Sequence, residues 1–287
     1  MILRHIRLSG RWLTAILIAG AVALPDVPGR AQSAPDVAAL VERMHAYLEA
    51  YEPKLRALVA DEIFEQRHQF RPKFARLRAL ESDIGFLRLP GGGPWLAQRS
   101  VRAIDGVAVP GAVAALDAML ALTGDDRFVR ARAIADGNAR HNLGHPRTMN
   151  VPTLPLELLA RRHQSNAVVS LDRQATGRDA ATLVVSEREP GRIVLHDNGR
   201  FNRTVVRAWI RVHDGALLRA DVAVYAPGGG IVPHRVRVDF QAEGSLNMLV
   251  PARLEERYVS DGEGRGIATY RNYRRFQTSG RLVPPPR

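Results

Sequence analysis

Residues 204–276 have the sequence TVVRAWIRVHDGALLRADVAVYAPGGGIVPHRVRVDFQAEGSLNMLVPARLEERYVSDGEGRGIATYRNYRRF. In the clearest part, from Val232 to Phe240, apolar side chains alternate with Arg235, Arg237 and Asp239. A period of two residues is typical of a strand with one apolar and one solvated face. Five such segments follow one another, with turns such as 214–215 between them. The stretch therefore predicts an antiparallel meander with one continuous apolar face.

The first residues of the chain predict export. Arg4, Arg7 and Arg11 precede an apolar run over 12–24, which is shorter than the roughly 20 residues that a membrane helix needs. We interpret 1–33 as a secretory signal peptide, cleaved at Ala31 or Ser33, with an uncleaved anchor as the alternative. The sequence contains no Cys, which excludes disulfides and a lipidated Cys at the cleavage site. A periplasmic protein without a transmembrane span or lipid anchor is expected.

The charge balance is strongly basic, with a formal net charge of +12. Residues 1–33 carry four Arg and one Asp, so their removal leaves +9. Lys54 and Lys73 are the only lysines, and arginine supplies the rest. Export removes the usual nucleic-acid partners, which leaves anionic membrane surfaces or acidic proteins as partners for this charge. A hydrophobic content of 46% is too high for a disordered chain.

The front half predicts helices and a hairpin. Apolar residues from Val37 to Leu58 recur at steps of four and three, which predicts one long helix, capped near Asp36 and kinked or divided by Pro53. Strands are predicted over 75–89 and 94–104, followed by a short segment over 107–109. A central helical pair should follow. Its apolar residues are Leu116, Met119 and Leu120 in the first segment, and Phe128, Ala131, Ile134 and Ala135 in the second.

The remaining segments complete the predicted fold. Residues 151–162 should form a strap with one helical turn, and strands are expected over 167–171, 182–188 and 193–196. The tail over 279–287 contains three consecutive prolines and is predicted to be disordered. The fold class is α+β: a strongly curved antiparallel sheet, a half-barrel of about ten strands, packed over the long N-terminal helix and the central helical pair. Residues 34–278 should form this single domain.

A search for catalytic and metal-binding patterns gives no candidate. The sequence has no nucleophile elbow, and a strand pattern follows Gly262–Gly266 where a dinucleotide loop requires a helix. His141 and His145 have the spacing of a zinc-binding helix, but Gly144 and Pro146 should end the helix there. We therefore predict no catalytic residues, no metal site and no cofactor.

Three polar residues fall on the predicted apolar face, and a fourth, Arg274, has the same parity nearer the end of the last strand. Counting by twos places His234, Glu256 and Asn272 there. They could line a cavity and bind a ligand, or each could pair with a covering helix or lie near the sheet edge, and the second interpretation is preferred. An unpaired buried polar group costs about 1–3 kcal/mol, so each needs a partner. An enzyme is the third hypothesis, because only the shared face of His234 and Glu256 favours it.

The order of long helix, hairpin, helical pair and final meander resembles that of the periplasmic lipoprotein carriers, the outer-membrane lipoprotein-sorting proteins. In that family a curved sheet wraps helices that plug an acyl-binding hollow. The resemblance is one of layout over most of the chain after residue 33. No residue motif of the carriers is matched, so the resemblance implies a fold and no functional residue.

Two function hypotheses follow. The first is a non-enzymatic periplasmic protein that binds a hydrophobic ligand, an acyl chain or a lipidated protein, between the sheet and the helices. The second is an envelope interaction scaffold, whose interior is filled and whose Arg-rich outer face docks an acidic envelope protein. The predicted ligand-binding residues are Ile210, Val222, Val236, Val238, Phe240, Leu254, Tyr258, His234 and Glu256.

Overall fold

The computed structural model describes residues 35–71, 74–88, 95–112, 124–144, 147, 149–189, 194, 201–225, 231–259, 262–277 and 281–282. The predicted signal peptide, the first segment of the helical pair, most of the predicted strand over 193–196 and residues 283–287 lie outside them. The boundaries of the single domain stay a prediction.

Helix α1 (Val37–Leu55) begins where the sequence places its cap. The Asp36 carboxylate accepts a hydrogen bond from the Ala38 N–H at 2.9 Å, which satisfies a donor that the first helical turn leaves free. Pro53 does not divide the helix, contrary to one of the two outcomes predicted for it. It lies in the last turn, and the helix ends two residues later at Leu55.

The apolar stripe of α1 is buried in the core. Its buried residues are Leu40, Val41, Met44, His45, Leu48, Tyr51 and Leu55. Each large apolar side chain that leaves water in this way stabilises the fold by about 1.5–3 kcal/mol. The predicted packing of the helix stripe on the sheet is therefore confirmed for α1.

The described residues form twelve strands and two further α-helices. The helices are α2 (Gly124–Ala139) and α3 (Leu154–Leu158). The strands are β1 (Leu58–Arg71), β2 (Phe74–Arg88), β3 (Trp95–Ile104), β4 (Val107–Ala108), β5 (Ala167–Asp172), β6 (Ala180–Glu187), β7 (Arg203–Arg211), β8 (Leu217–Tyr225), β9 (Ile231–Glu243), β10 (Met248–Val259), β11 (Glu263–Gln277) and β12 (Arg281–Leu282).

All twelve strands belong to one antiparallel sheet. The order is β4-β3-β2-β1-β11-β10-β9-β8-β7-β6-β5, and β12 pairs with β11 beside this path. The two described edges, β4 and β5, do not pair with each other, so the sheet stays open. The predicted fold class, a curved half-barrel sheet with few helices, is confirmed. Two residues of the predicted disordered tail lie in β12.

Strand β1 was not predicted, because Leu58 was assigned to the helix stripe and the next residues to no element. The strand pairs with β2 on one side and with β11 on the other, and it thereby joins the N-terminal hairpin to the meander. Its inward positions alternate between apolar Phe64 and polar Glu62 and Gln66, all three buried. Because polar residues occupy inward positions, apolar and polar residues do not alternate regularly along β1, and the strand was not recognised from the sequence.

The inner face of the meander is apolar as predicted. Val236, Val238 and Leu254 are each 0% exposed, and they lie on neighbouring strands in register, with Val238 opposite Leu254. Asn272 does not lie on the inner apolar face, where the period of two predicts it. A positive φ of 52° at Asn272 accompanies a register shift opposite Val59 and Asp61, which turns Asn272 to solvent and buries Tyr273 instead.

Candidate functional site

The structure brings the predicted ligand-binding residues together on four adjacent strands, β7 to β10. We call the six aliphatic and aromatic residues without polar atoms the apolar wall: Ile210, Val222, Val236, Val238, Phe240 and Leu254. All six are buried, as are Tyr258 and Glu256, and His234 is half-buried. The wall is covered by other parts of the chain.

One cover of the inner face is an irregular segment that begins before the strap predicted over 151–162. From here on we call this longer segment the strap, and its described residues are 143–144, 147 and 149–160. Polar bonds from strands β1 and β10 hold its first part. The Leu143 N–H donates to Gln66 Oε1 at 2.8 Å, and the Met149 N–H donates to the Tyr258 hydroxyl at 3.1 Å. The predicted single helical turn within 151–162 is α3, and residues 152–160 are all buried. The strap is therefore part of the interior of the protein.

The centre of the strap is fixed by a buried ion pair between Arg147 and Glu256. Their side chains are 1% and 0% exposed. The Arg147 guanidinium also lies over the Phe64 ring at 5.5 Å and the Tyr258 ring at 5.8 Å, and its Nη2 donates to the Leu143 carbonyl at 3.3 Å. Burial, with the nearby Arg99, lowers the pKa of Arg147 to about 10. The guanidinium remains charged at neutral pH.

A second buried ion pair joins Arg99 to Glu62. Arg99 Nη2 donates to Glu62 Oε1 at 2.7 Å and to the Asn150 carbonyl of the strap at 3.1 Å. Burial opposes the charge on Arg99, but the interaction with Glu62 outweighs it and raises the arginine pKa. Arg99 lies over the Phe64 ring at 5.2 Å, so this one ring contacts both guanidinium groups. We call Glu62, Arg99, Arg147 and Glu256 the charge belt.

Several polar atoms around the charge belt have no hydrogen-bond partner among the described residues. They are Gln66 Nε2, Arg147 Nε and Glu256 Oε2. Burial and the neighbouring Glu62 raise the pKa of Tyr270, so its hydroxyl keeps its proton and remains a donor. Buried donors and acceptors without partners are rare in native proteins, so each of these atoms calls for a partner such as water or a ligand group. The belt thus offers both donors and acceptors next to the apolar wall.

His234 and Glu256 each have partners within the chain. His234 Nδ1 accepts from the Val259 N–H at 3.3 Å, and its ring packs against Tyr258 at 5.4 Å between centroids. Glu256 pairs with Arg147 of the strap. Glu256 thus pairs with a covering segment, although that segment is the irregular strap and not a helix, whereas His234 bonds to the neighbouring strand β10.

Sequence reasoning missed three of the four belt residues. The partners in the two ion pairs are 37 and 109 positions apart in sequence, so no local spacing could join them. Glu62 does carry a signal, because it stands two residues before Phe64, on the parity of an inward position. Arg147 belongs to an irregular segment without a period.

A cavity of about 360 Å³ lies beside α1, away from the apolar wall. Its lining residues are His45, Leu48, Glu49, Glu52, Ala160, Arg161 and Arg162. Arg161 pairs with Glu42 and with Glu49, each at 2.8 Å, and Arg162 pairs with Glu157 of α3. The ion pairs of Arg161 connect the residues that follow the strap to the exposed side of α1. The cavity is therefore a groove between two covering elements, lined by charged side chains and by the apolar Leu48 and Ala160.

The outer face of the meander is rich in arginine, but many of these side chains pair with carboxylates. Arg235 and Arg237 both reach Asp221, at 3.1 and 3.0 Å, and Arg219 pairs with Asp239 on the neighbouring strand. Cross-strand pairs of this kind stabilise a sheet by about 0.2–1 kcal/mol each. They also reduce the positive charge that this face presents to a partner.

The predicted absence of a metal site was based on two histidines. His141 lies in the turn after α2, where its carbonyl accepts from Arg78 at 2.9 Å, and His145 lies outside the described residues. Among the residues that the structure describes, no group of three or more His, Asp or Glu side chains could hold a metal ion.

Comparison with known proteins gives distant structural matches only. No protein-family model matches the chain, and no curated protein matches it. A DUF1329 family protein from Desulfovibrio piger matches with 9% identity and a TM-score of 0.42, over 84% of this chain and 94% of that one. A LolA superfamily protein from Nitrosomonas europaea matches with 11% identity and a TM-score of 0.36, over 85% and 94%.

A third match is a Vibrio parahaemolyticus domain described as an outer membrane lipoprotein-sorting protein, with 10% identity and a TM-score of 0.35, over 83% of this chain and 94% of that one. The group named from the layout of the sequence is thus present among the matches. Structural similarity at TM-scores below 0.5 supports no further conclusion, so the fold class is assigned from the observed sheet. No helix among the described residues is long and apolar enough to cross a membrane.

Proposed function

We propose that this chain is an exported, non-enzymatic protein that binds a hydrophobic ligand, an acyl chain or the acyl part of a lipidated protein. The ligand would lie against the apolar wall and reach the charge belt under the strap. The wall provides a continuous surface of Val222, Val236 and Val238 for the apolar part. The belt provides donors and acceptors for a polar end.

The observation that carries this proposal is the charge belt beneath the strap. Two charges that leave water lose several kcal/mol of hydration each, and apolar residues of similar volume commonly hold a protein together equally well. A cover that served stability alone would need only apolar contacts with the sheet. The Arg147–Glu256 ion pair instead joins the strap to the sheet, and Arg99, which pairs with Glu62 within the sheet, donates to the Asn150 carbonyl of the strap. Water or a charged ligand group can replace such polar contacts.

Ligand uptake tests the proposal directly. Delipidated protein is titrated with a fluorescent fatty acid and with a fluorescent lipopeptide, and saturable uptake near one ligand per chain is expected. A photoactivatable fatty acid should then label peptides that contain Val222, Val236 or Val238. Absence of saturable uptake contradicts the proposal, as does labelling confined to the groove at Leu48 and Ala160.

The role of Glu256 is tested separately with Glu256→Gln. Loss of both stability and uptake is expected if the carboxylate contributes to the ligand site through Arg147. If stability falls while uptake is unchanged, Glu256 is purely structural and the polar end of the ligand lies elsewhere. Val168→Ser changes an exposed residue of β5 and serves as the control for handling and delipidation.

The alternative is an interaction scaffold with a filled interior. The burial of the whole apolar wall under the chain's own elements supports it. In that case fatty acid uptake should be absent, and an acidic envelope partner should bind the arginine-rich outer face with a steep dependence on salt. A pull-down yield that is equal at low and high ionic strength would count against the scaffold.

A further inference from the structure

The far end of the β1–β2 hairpin exposes large apolar side chains. Phe70 is 43% exposed, Phe74 58% and Leu77 73%. Closer to the core the same two strands bury Phe64 and Leu80 almost completely. The hairpin therefore extends beyond the part of the sheet that the core covers, and its last residues remain apolar.

These side chains lie on both faces of the hairpin. Leu77 pairs with Arg67, and Arg76 pairs with His68, so Leu77 and Arg76 point to opposite faces. On the face of Arg76, its guanidinium lies 5.8 Å from the Phe70 ring centre, and Phe70 stacks on Phe74 at 6.3 Å. Apolar residues on both faces would not stabilise a hairpin end that contacts only water, and exposed apolar patches of this kind mark interaction sites.

The charge of this end of the hairpin has one sign. The segment 66–79 has the sequence QRHQFRPKFARLRA, which contains five basic residues and no Asp or Glu. Within the described residues, no carboxylate forms an ion pair with Arg67, Arg76 or Arg78, whereas the meander arginines Arg219 and Arg237 pair with aspartates. The positive charge here is therefore available to an external anion.

We propose that Arg67, Phe70, Phe74, Arg76 and Leu77, which we call the hairpin tip, dock the protein on a bilayer rich in anionic phospholipid. Apolar side chains on two faces suit insertion among lipid headgroups, and arginines beside them pair with lipid phosphates, each adding about 1 kcal/mol of attraction at a negative membrane surface. This site uses none of the residues of the ligand site, so it does not depend on ligand binding.

The position of the hairpin tip gives the docking a consequence for the strap. Arg78 donates to the His141 carbonyl at 2.9 Å, and Gln66 accepts from the Leu143 N–H at 2.8 Å. The Gln66 contact joins the base of the tip to the start of the strap, and the Arg78 contact joins it to the turn just before the strap. Docking through the tip would bring the start of the strap to the lipid surface, where an acyl ligand enters or leaves a bilayer.

Vesicle sedimentation of the exported, processed protein tests the proposal. Binding is measured to vesicles of phosphatidylcholine alone and to vesicles that also contain phosphatidylglycerol. We expect binding only to the second kind, with an affinity that falls as salt rises. The double variant Phe74→Ser, Leu77→Ser should lower the affinity by about tenfold or more, because two large apolar groups no longer enter the bilayer.

Charge and control variants complete the experiment. Arg67→Glu with Arg76→Glu should also lower binding by about tenfold or more, since two attractive charges become repulsive. Val168→Ser, which changes a residue 50% exposed on β5, should bind like the unchanged protein. Equal binding of the tip variants and the control would overturn the proposal. So would equal binding to both vesicle types, or a tip-dependent dimer in solution that does not sediment with vesicles.

Discussion

Removal of the Arg147 guanidinium should destabilise the fold strongly. Arg147→Met keeps the aliphatic stem that packs near Phe64 and Tyr258 but leaves the Glu256 carboxylate, which is 0% exposed, without its counter-ion. Breaking a buried pair on one side typically costs about 3–5 kcal/mol. The lost bond from Arg147 Nη2 to the Leu143 carbonyl contributes about 0.5–1.5 kcal/mol to this figure.

The double variant Arg147→Met, Glu256→Leu separates the charge from the packing. With both charges gone, no buried ion lacks a partner, and the free energy of unfolding should return to within about 1–2 kcal/mol of the starting value. Glu256→Leu alone leaves the buried Arg147 charge unpaired and should also cost about 3–5 kcal/mol. The two substitutions should therefore be strongly non-additive, with a coupling free energy of about 4 kcal/mol or more.

Urea unfolding at pH 7 measures these values, with tryptophan fluorescence and circular dichroism as two probes. Trp95 is buried and reports on the core, and coincident transitions justify a two-state analysis. A loss below about 1 kcal/mol for Arg147→Met would show that the carboxylate is not sealed from water. If the losses of stability in the double variant are additive, Arg147 and Glu256 do not stabilise each other, and the charge belt does not connect the strap to the sheet.

Two further perturbations test the packing of α1. Gly215 has a φ of 75°, and a Cβ there would overlap the Arg43 backbone, so Gly215→Ala should cost about 3 kcal/mol or more in urea unfolding. Gly106→Ala, at a φ of 80° with open space around it, should cost only about 1–2 kcal/mol. Burial lowers the His45 pKa, so the unfolded chain binds more protons and stability should fall from pH 7 to pH 5. His45→Leu should flatten that slope, whereas exposed His213→Gln should not; parallel slopes would refute this.

The sequence predicted the meander well because its inward positions are nearly all apolar. From Val206 to Val238 most inward residues follow a period of two, with Leu217 as an exception at a register shift opposite Ile210. Segments with glycine, such as 214–215, separate the strands in the sequence. The N-cap at Asp36 and the single helical turn of the strap were also predicted from local chemistry. Each of these features depends on residues that are close in sequence.

Features that depend on partners far apart in sequence could not be predicted. The inward Glu62 and Gln66 hid β1, because their partners Arg99 and Leu143 lie on other elements. Beyond Tyr270 the alternation of inward and outward residues changes at a bulge centred on Asn272. The positive φ of Asn272 could not be predicted, because an Asn by itself is only a weak signal for this backbone conformation. In both cases a tertiary contact or a backbone irregularity replaced the simple alternation.

The departures from alternation are not scattered over the sheet. On the inner face, charged residues gather under the strap, at Glu62, Arg99 and Glu256, while the wall strands β7 and β8 place apolar residues such as Val206 and Val222 there. Sequences tend to break local rules where function or specificity requires it. A sheet that only needed a lid could have kept the apolar pattern throughout. The ionic contacts at one side are therefore the place where a charged ligand group could replace a contact between the strap and the sheet, and the uptake experiment with Glu256→Gln tests whether it does.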